Sequence, residues 1–341
     1  MRRIAYMLAA LLAATPALAR QPFALDRTGV LWQASPSASG LLIEGHRDGD
    51  LVVRGFVPTA PLGGVRIVDS HVEVAVDPSG REVVVVWQRS WGSALSEVLL
   101  ARWSVGGEGA VMRLSGALAN AARNPTLWVQ RVSWTDTGED EQPIPREETL
   151  VHVVWWEDSE WGTGARYVWL SLDTPAEEQR QPVVLVLDQL FGEAVVEDCE
   201  ELLSVKVREH PLFVSHPTPD TFSLIAASGA CRLTRTEIRS QVIVPPTIGG
   251  EGGFNGSAQR RRARPIFGSR IELPPAPLSL EGLSARLGSS GTLLLYGVNR
   301  EKEKIEFSLL RDSQWTAPRF VPLGGQVLPE ALLPVLESLA H

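Results

Sequence analysis

The chain has 341 residues, of which 44% are hydrophobic and 21% are charged, and its formal net charge is -8. An acidic balance spread over both signs argues against nucleic-acid binding, which shows as a clustered excess of Lys and Arg. The length alone is compatible with one large domain or two ordinary ones.

The first nineteen residues have the form of a secretory signal peptide. They read MRRIAYMLAALLAATPALA, with two arginines, an apolar stretch from Ile4 to Leu12 and a closing Ala-x-Ala. This stretch is shorter than a membrane-spanning helix, and no later segment has the roughly 18 uninterrupted apolar residues that such a helix needs. We expect residues 1–19 to be removed, leaving an exported mature chain, periplasmic or extracellular, that begins near Arg20 and has no transmembrane segment.

From residue 28 to residue 326, short runs rich in Val, Leu and Trp alternate with Gly, Pro, Asp and Ser, a pattern that predicts an all-β fold. Units of three or four strands recur at 28–65, 72–107, 127–173, 204–244 and 283–323. Corresponding strands contain, at intervals of 68, 70 and 71 residues, Trp87, Trp155, Ile225 and Tyr296. This period predicts one β-propeller domain over residues 20–326, with about five blades in a range of four to six.

The most aromatic stretch is LVHVVWWEDSEWGTGARYVWL, at 150–170. A strand over 150–156 would carry apolar side chains on both faces, because neighbours such as Trp155 and Trp156 point to opposite sides. We therefore expect this strand to be buried between two blades.

Two tryptophans are predicted to lie in connecting loops. Trp91 in RSWGSALS and Trp161 in SEWGTGAR share a Trp-Gly step, which suggests the same turn in two blades. An aromatic ring beside carboxylates and a guanidinium is a common way to hold a glycan or a peptide. The predicted ligand-binding residues are Trp91, Trp161, Arg89, Arg166, Glu157 and Asp158. The alternative is that each tryptophan covers its own blade as a structural cap.

The chain contains two cysteines, both in the part expected to be exported. We predict that Cys199 and Cys231 form a disulfide, because oxidising compartments let such bonds persist. Free thiols and metal ligands are the alternatives.

Two further segments have a distinct composition. The stretch at 248–265, IGGEGGFNGSAQRRRARP, joins a Gly-rich run to the arginines of 260–264. We interpret it as a mobile loop between blades, with capture of an anionic ligand as the alternative. The tail at 327–341 places Leu332, Leu336 and Ala340 on one helical stripe, which predicts a C-terminal helical cap.

Two stretches resemble blades of secreted sialidase-like propellers. In VHVVWWEDSEWGTGARYVWL and GTLLLYGVNREKEKIEFSLLRDSQWTAP, a strand ending in an aromatic residue precedes a loop, a further strand and a closing Trp. The resemblance implies a propeller fold. It also implies Asp-box turns, an arginine triad and a tyrosine nucleophile, but the turns VDPSGREV and GSSGTLLL lack the full Asp-box pattern. Tyr167 and Tyr296 lie in predicted strands, so none of these roles can be assigned here.

No catalytic motif is found, and we predict no catalytic residue, no metal ion and no cofactor. The acidic residues of the loops are interpreted as solvated charge, and the histidines lack the spacing of zinc ligands. We therefore expect an exported, non-catalytic, monomeric binding protein for a peptide, protein or glycan. The alternatives are a sialidase-like glycoside hydrolase and a structural or assembly component of the cell envelope.

Overall fold

The computed structural model describes residues 23–59, 67–137, 142–174, 183–187, 210–243, 262–299 and 304–322, apart from breaks of one to four residues within these ranges. The elements of this part of the chain are 21 β-strands. The described residues contain no helix that is long and apolar enough to cross a bilayer. The predicted signal peptide (1–19), Trp161, Cys199, Cys231 and the predicted helix at 327–341 lie outside the described residues.

The strands form five antiparallel meanders in chain order. The first contains β1 (Phe23–Leu25), β2 (Val30–Ser37), β3 (Gly40–Arg47) and β4 (Asp50–Pro58). The second contains β5 (Ile67–Val76), β6 (Glu82–Trp91), β7 (Leu95–Ser104) and β8 (Gly109–Arg113). The third contains β9 (Ala121–Thr137), β10 (Pro143–Ser159), β11 (Gly162–Ser171) and β12 (Leu185–Val186).

The last two meanders complete the described chain. The fourth contains β13 (Leu212–Ser215), β14 (Thr221–Ala227), β15 (Leu233–Ile243) and β16 (Arg262–Glu272). The fifth contains β17 (Ser284–Leu287), β18 (Leu293–Asn299), β19 (Lys304–Arg311), β20 (Gln314–Trp315) and β21 (Arg319–Pro322). Both β20 and β21 pair with β19.

The first strand of every meander borders a shared central cavity. This cavity has a volume of about 410 Å³ and is lined by residues of β1, β5, β9, β13 and β17. Neighbouring first strands also meet directly, since β13 and β17 pair in parallel at Val214–Ala285 and Ser215–Arg286. Meanders arranged around one axis with their first strands innermost form a β-propeller, which confirms the predicted fold class. We call the five described meanders blades 1 to 5.

The blades are held together by apolar cores between their faces. In β6 the fully buried run Val83–Trp87 alternates between the core with blade 1 and the core with blade 3. In β10, Val153 and Trp155 pack toward blade 2, whereas Val154 and Trp156 pack toward blade 4. Burial on both faces explains why these strands are continuously apolar instead of alternating with polar residues, and the prediction for 150–156 is confirmed.

Short turns link the strands within a blade. Asp48 and Gly49 both have positive φ, at 52° and 97°, and connect β3 to β4 in a two-residue turn of the type I′ kind. In the turn after β1, Asp26 Oδ1 accepts the N–H groups of Thr28 and Val30 at 2.8 and 2.9 Å, and its Oδ2 accepts the Trp32 indole N–H at 3.1 Å. Burial alone would raise the pKa of Asp26, but these hydrogen bonds outweigh it and lower the pKa.

One buried arginine joins blade 2 to blade 3. Arg102 on β7 binds the Glu82 carboxylate through Nε and Nη2, at 3.0 and 2.8 Å. The same guanidinium donates to the carbonyls of Leu172 and Thr174, at 2.6 and 2.7 Å. Two of its contacts therefore lie within blade 2 and two reach blade 3, so this side chain is a polar link between the two blades.

Two segments predicted as loops are partly strand. Trp91 is the last residue of β6 and pairs with Ile67 and Leu95, so its predicted loop position is wrong. The reason is that the β6–β7 ladder extends as far as the pair Trp91 and Leu95, so that only three residues connect the two strands. Likewise Arg262 and Arg264 begin β16, paired with β15, so the predicted loop at 248–265 ends earlier. Arg260 and Arg261 lie outside the described residues.

Candidate functional site: the central cavity

The central cavity has a mixed aromatic and polar wall. Its described lining includes the aromatic residues Trp128, Phe213 and Tyr296 and the hydroxyl-bearing residues Thr126, Ser215 and Ser284. A volume of about 410 Å³ falls within the range of small-ligand pockets, roughly 300–1,000 Å³. The lining combines apolar area with a few hydrogen-bonding groups, as such pockets do.

Glu73 on β5 is the only charged side chain among the described residues that line the cavity. Its Oε2 accepts the Thr126 hydroxyl at 2.9 Å and the Leu127 N–H at 2.7 Å. Both donors belong to β9, so the carboxylate ties the innermost strand of blade 2 to that of blade 3. The cavity therefore carries a fixed negative group on this part of its wall.

Matching β-bulges shape the inner strands of blades 2 and 3. On β5, His71 and Val72 together stand opposite Trp87, and on β9, Asn124 and Pro125 stand opposite Trp155. His71 and Asn124 have left-handed backbones, with φ of 50° and 53°. An extra residue reverses which face each following side chain takes. The bulges thus direct Glu73 toward β9 and show that Trp87 and Trp155 are equivalent positions.

The predicted ligand-binding residues of blade 2 form structural contacts. Arg89 makes a two-pronged ion pair with Asp69, at 2.8 and 3.0 Å, and its guanidinium lies 5.9 Å from the Trp87 ring centre. The indole N–H of Trp91 is buried and finds no hydrogen-bond partner among the described residues. Neither Arg89 nor Trp91 belongs to the described lining of the cavity.

The predicted residues of blade 3 are also paired within their blade. Glu157 accepts the Trp155 indole N–H at 2.8 Å and lies 3.9 Å from Arg166, and both charged side chains are buried. Asp158 forms an ion pair with Arg123. The structure therefore gathers Glu157 and Arg166 but places them away from the cavity lining. Binding by these residues stays a prediction.

The predicted equivalence of Trp91 and Trp161 does not follow from the strand register. If Trp87 and Trp155 are equivalent, the position in blade 3 that corresponds to Trp91 is Ser159. Ser159 pairs with Gly162 across a two-residue connection. Trp161 falls inside that connection, outside the described residues.

A second charged cluster lies in blade 2. Glu97 on β7 pairs across the sheet with Arg89 and lies 3.9 Å from Arg113. Burial raises the pKa of the Glu97 carboxyl, and the nearby Asp69 acts in the same direction, whereas Arg113 and Arg89 oppose the shift. The two arginines and two acids balance in charge, and all four belong to blade 2, so this cluster is a structural network within one blade.

His152 and Tyr167 form a fully buried hydrogen bond between β10 and β11. His152 Nδ1 lies 2.6 Å from the Tyr167 hydroxyl oxygen, and both residues are 0% exposed. Burial lowers the pKa of His152 to about 3 and raises that of Tyr167. Phe222 packs against the imidazole, with ring centres 4.7 Å apart. The neutral pair is part of the core between blades 3 and 4, so its chemistry is structural.

One serine and histidine pair has the spacing of a catalytic dyad. His216 Nε2 lies 2.8 Å from the Ser223 hydroxyl oxygen, but Ser223 is 0% exposed, so no substrate reaches it. Burial lowers the pKa of His216, and Arg235 adds to the shift. Within the described ranges no three His, Cys, Asp or Glu side chains are grouped to hold a metal ion.

Comparison with protein families finds no match for this chain, and neither does comparison with curated proteins. Among solved structures, an exo-beta-1,3-galactanase from Phanerochaete chrysosporium bound to galactose shows 11% identity and a TM-score of 0.37, over 90% of this chain and 63% of that one. A variant of that enzyme with beta-1,3-galactotriose gives 12% identity and a TM-score of 0.36, over 92% and 65%. The WD40 domain of SCAP from fission yeast gives 7% and 0.27, over 87% and 73%. This chain thus spans less than two thirds of the galactanase chains.

Proposed function

We propose that this protein is an exported, non-catalytic β-propeller binding protein whose ligand, a peptide, protein segment or glycan, occupies the central cavity. The observation that carries the proposal is the composition of the cavity wall. The described lining residues include three aromatic residues, three Ser or Thr residues and a single carboxylate, that of Glu73. Such a wall supplies stacking area and orienting hydrogen bonds, which are the elements of ligand binding.

The same wall argues against glycoside hydrolysis. Most glycosidases flank the scissile bond with two carboxyl groups, about 5–9.5 Å apart depending on the mechanism. Among the described lining residues only Glu73 supplies a carboxylate, and two donors of blade 3 already hold one of its oxygens.

Export is supported by the N-terminal sequence alone. Residues 1–19 combine a basic start, a short apolar stretch and an Ala-x-Ala end. Mass spectrometry of the protein from its native host should find a mature N-terminus at Arg20. An intact Met1 would contradict the proposal of export.

The binding proposal is tested with two matched variants of β9. Trp128 lines the cavity, whereas Trp134 packs in a small core with Val132 and Leu150. The mature chain is screened on glycan and peptide arrays, and hits are titrated by tryptophan fluorescence. Trp128→Phe should weaken binding of a hit by up to about tenfold, the upper end of the range for a lost aromatic contact, whereas Trp134→Phe should leave it unchanged.

The contrary outcomes separate the alternatives. Equal effects of the two variants would place the ligand outside the cavity. Turnover of any glycoside by the purified protein would overturn the non-catalytic proposal. Silence of both arrays, with co-purification of an envelope protein, would favour the assembly role instead.

A further inference from the structure

The wall of the central cavity contains exposed strand backbone as well as side chains. Four consecutive residues of β5, Glu73–Val76, and four of β9, Thr126–Val129, line it. Side chains of a strand alternate between faces, so consecutive lining residues mean that the strand presents its edge. Among the described residues β5 pairs with β6 and with no second strand.

The hydrogen-bond register shows which backbone groups face the cavity. The N–H of Asp77 donates to the carbonyl of Glu82, so Asp77 and, by alternation, Ala75 and Glu73 direct their backbone groups to β6. Val74 and Val76 therefore direct their N–H and C=O groups the other way. No turn or loop hydrogen bond engages these two residues within the described part of the chain.

The corresponding edge of β9 is already in use. The Leu127 N–H donates to Glu73 at 2.7 Å, which shows that Leu127 faces away from β10. On the opposite side of the ring, β13 and β17 pair with each other. Among the described residues, the edge of β5 thus offers two successive residues, Val74 and Val76, whose donors and acceptors are directed at the cavity.

From this geometry we infer that the ligand of the cavity is an extended peptide that pairs with β5 at Val74 and Val76, with a basic side chain directed at Glu73. This inference rests on the proposed binding function and narrows its ligand class. Strand addition to an open edge is a common mode of peptide recognition. The donors and acceptors of alternate residues repeat every two residues, roughly 6.6–6.8 Å, which is the repeat of another strand and not of a sugar chain.

The charge of the cavity adds to the same inference. Glu73 is the only charged side chain among the described lining residues, and it precedes Val74 directly. A basic side chain of a peptide paired with β5 lies within the reach of this carboxylate, and Trp128 belongs to the lining of the same cavity. Guanidinium and ammonium groups are recognised by carboxylates and by aromatic faces.

The test uses acetylated pentapeptides with a central Lys and randomised neighbours, titrated calorimetrically against the mature protein, with chitopentaose as the glycan probe. The tightest peptide is then remade with single N-methyl groups. Methylation at either of the two positions that pair with Val74 and Val76 should weaken binding about 10- to 30-fold, because it removes a backbone hydrogen bond and leaves its acceptor unpaired. Methylation at an intervening position, which directs its N–H away from β5, is the matched control and should leave affinity unchanged.

The charge is tested on the same peptide. Glu73→Gln keeps the acceptor oxygen and should weaken the Lys peptide about tenfold, while a norleucine version should bind both proteins equally. Binding of chitopentaose without any peptide would overturn the inference but leave the proposed binding function standing. A flat methylation scan, or failure of the whole library, would also overturn the inference. Failure of peptides and glycans together would overturn the proposed function as well.

Discussion

Replacing the buried pair His152 and Tyr167 by apolar residues should change how the stability of the propeller depends on pH. His152 is fully buried and its pKa is lowered from 6.5 to about 3. The folded protein therefore keeps this ring neutral at pH 5, whereas the unfolded chain binds a proton there. Since the unfolded state binds more protons below pH 6.5, the stability must fall as the pH falls from about 6.5 to about 3.

The size of the effect follows from these two pKa values. One pH unit within the window corresponds to about 1.4 kcal/mol, so His152 alone should lower the free energy of unfolding by about 2 kcal/mol between pH 7 and pH 5. The variant His152→Leu with Tyr167→Phe removes the titrating ring together with its hydrogen-bond partner. Neither change leaves a buried polar atom without a partner, so the variant should fold.

Urea unfolding of both proteins at pH 7, 6 and 5, followed by tryptophan fluorescence, measures the difference. Tyr167, which the variant also lacks, stays protonated between pH 5 and pH 7 because its pKa is raised. All remaining titrating groups are common to both proteins, and their contributions cancel when the two curves are subtracted. The wild type should lose about 2 kcal/mol more than the variant between pH 7 and pH 5. Parallel curves would refute the reasoning, because they would mean that His152 titrates alike in the folded and unfolded states.

Three further changes test the stabilising contacts, each by urea unfolding. Arg102→Met should lower the free energy of unfolding by about 3–5 kcal/mol, because it leaves buried acceptors unpaired. The matched Arg54→Met breaks an ion pair whose arginine side chain is 62% exposed, and it should cost under about 1 kcal/mol. Equal losses would show that Arg102 does not link the two blades. Asp26→Asn should cost about 1–2 kcal/mol, because an amide nitrogen cannot accept the Trp32 indole N–H, and no loss would show that the turn forms without it. Burial raises the pKa of Tyr167, so stability should fall as the pH rises above 10, more steeply than in a Tyr167→Phe variant; parallel curves would contradict this.

Patterns in the sequence were sufficient to predict the fold because the burial of a strand determines which of its residues are apolar. The run Val83–Trp87 is apolar at every position, and only a strand covered on both faces has that composition. The spacing of Trp87 and Trp155 located equivalent strands of two blades, and the register places a bulge opposite each of them.

The candidate site was not predictable in the same way. Glu73 lies in the run VEVAV, where one acid among valines looks like an ordinary solvent-facing residue of a half-buried strand. Its position in the cavity depends on the bulge at His71, and a bulge has no composition of its own when the left-handed residue is not Gly. The open backbone at Val74 and Val76 leaves no trace in residue type at all.

The structural partners of the charged residues near the predicted loops were not predictable, for a related reason. Arg89 and Glu157 follow tryptophans in the sequence, which suggested a ligand platform, but each has its partner on a neighbouring strand or two residues away. Pairing across a sheet joins residues distant in the chain, as Arg89 and Asp69 show. A single sequence does not reveal such partners, so paired and ligand-binding charges look alike.

The contacts of Arg102 also bear on how the protein is made. Its acceptors at Leu172 and Thr174 come 70 and 72 residues later in the chain. At a synthesis rate of about 5–20 residues per second, blade 2 waits roughly 4 to 14 seconds before these carbonyls leave the ribosome. During that interval the face of blade 2 that will pack against blade 3 exposes the Arg102 guanidinium and several valines to solvent. Blade 2 is therefore completed only when blade 3 has been synthesised, and a pause in translation within blade 3 would prolong the exposure of blade 2 to chaperones and to aggregation.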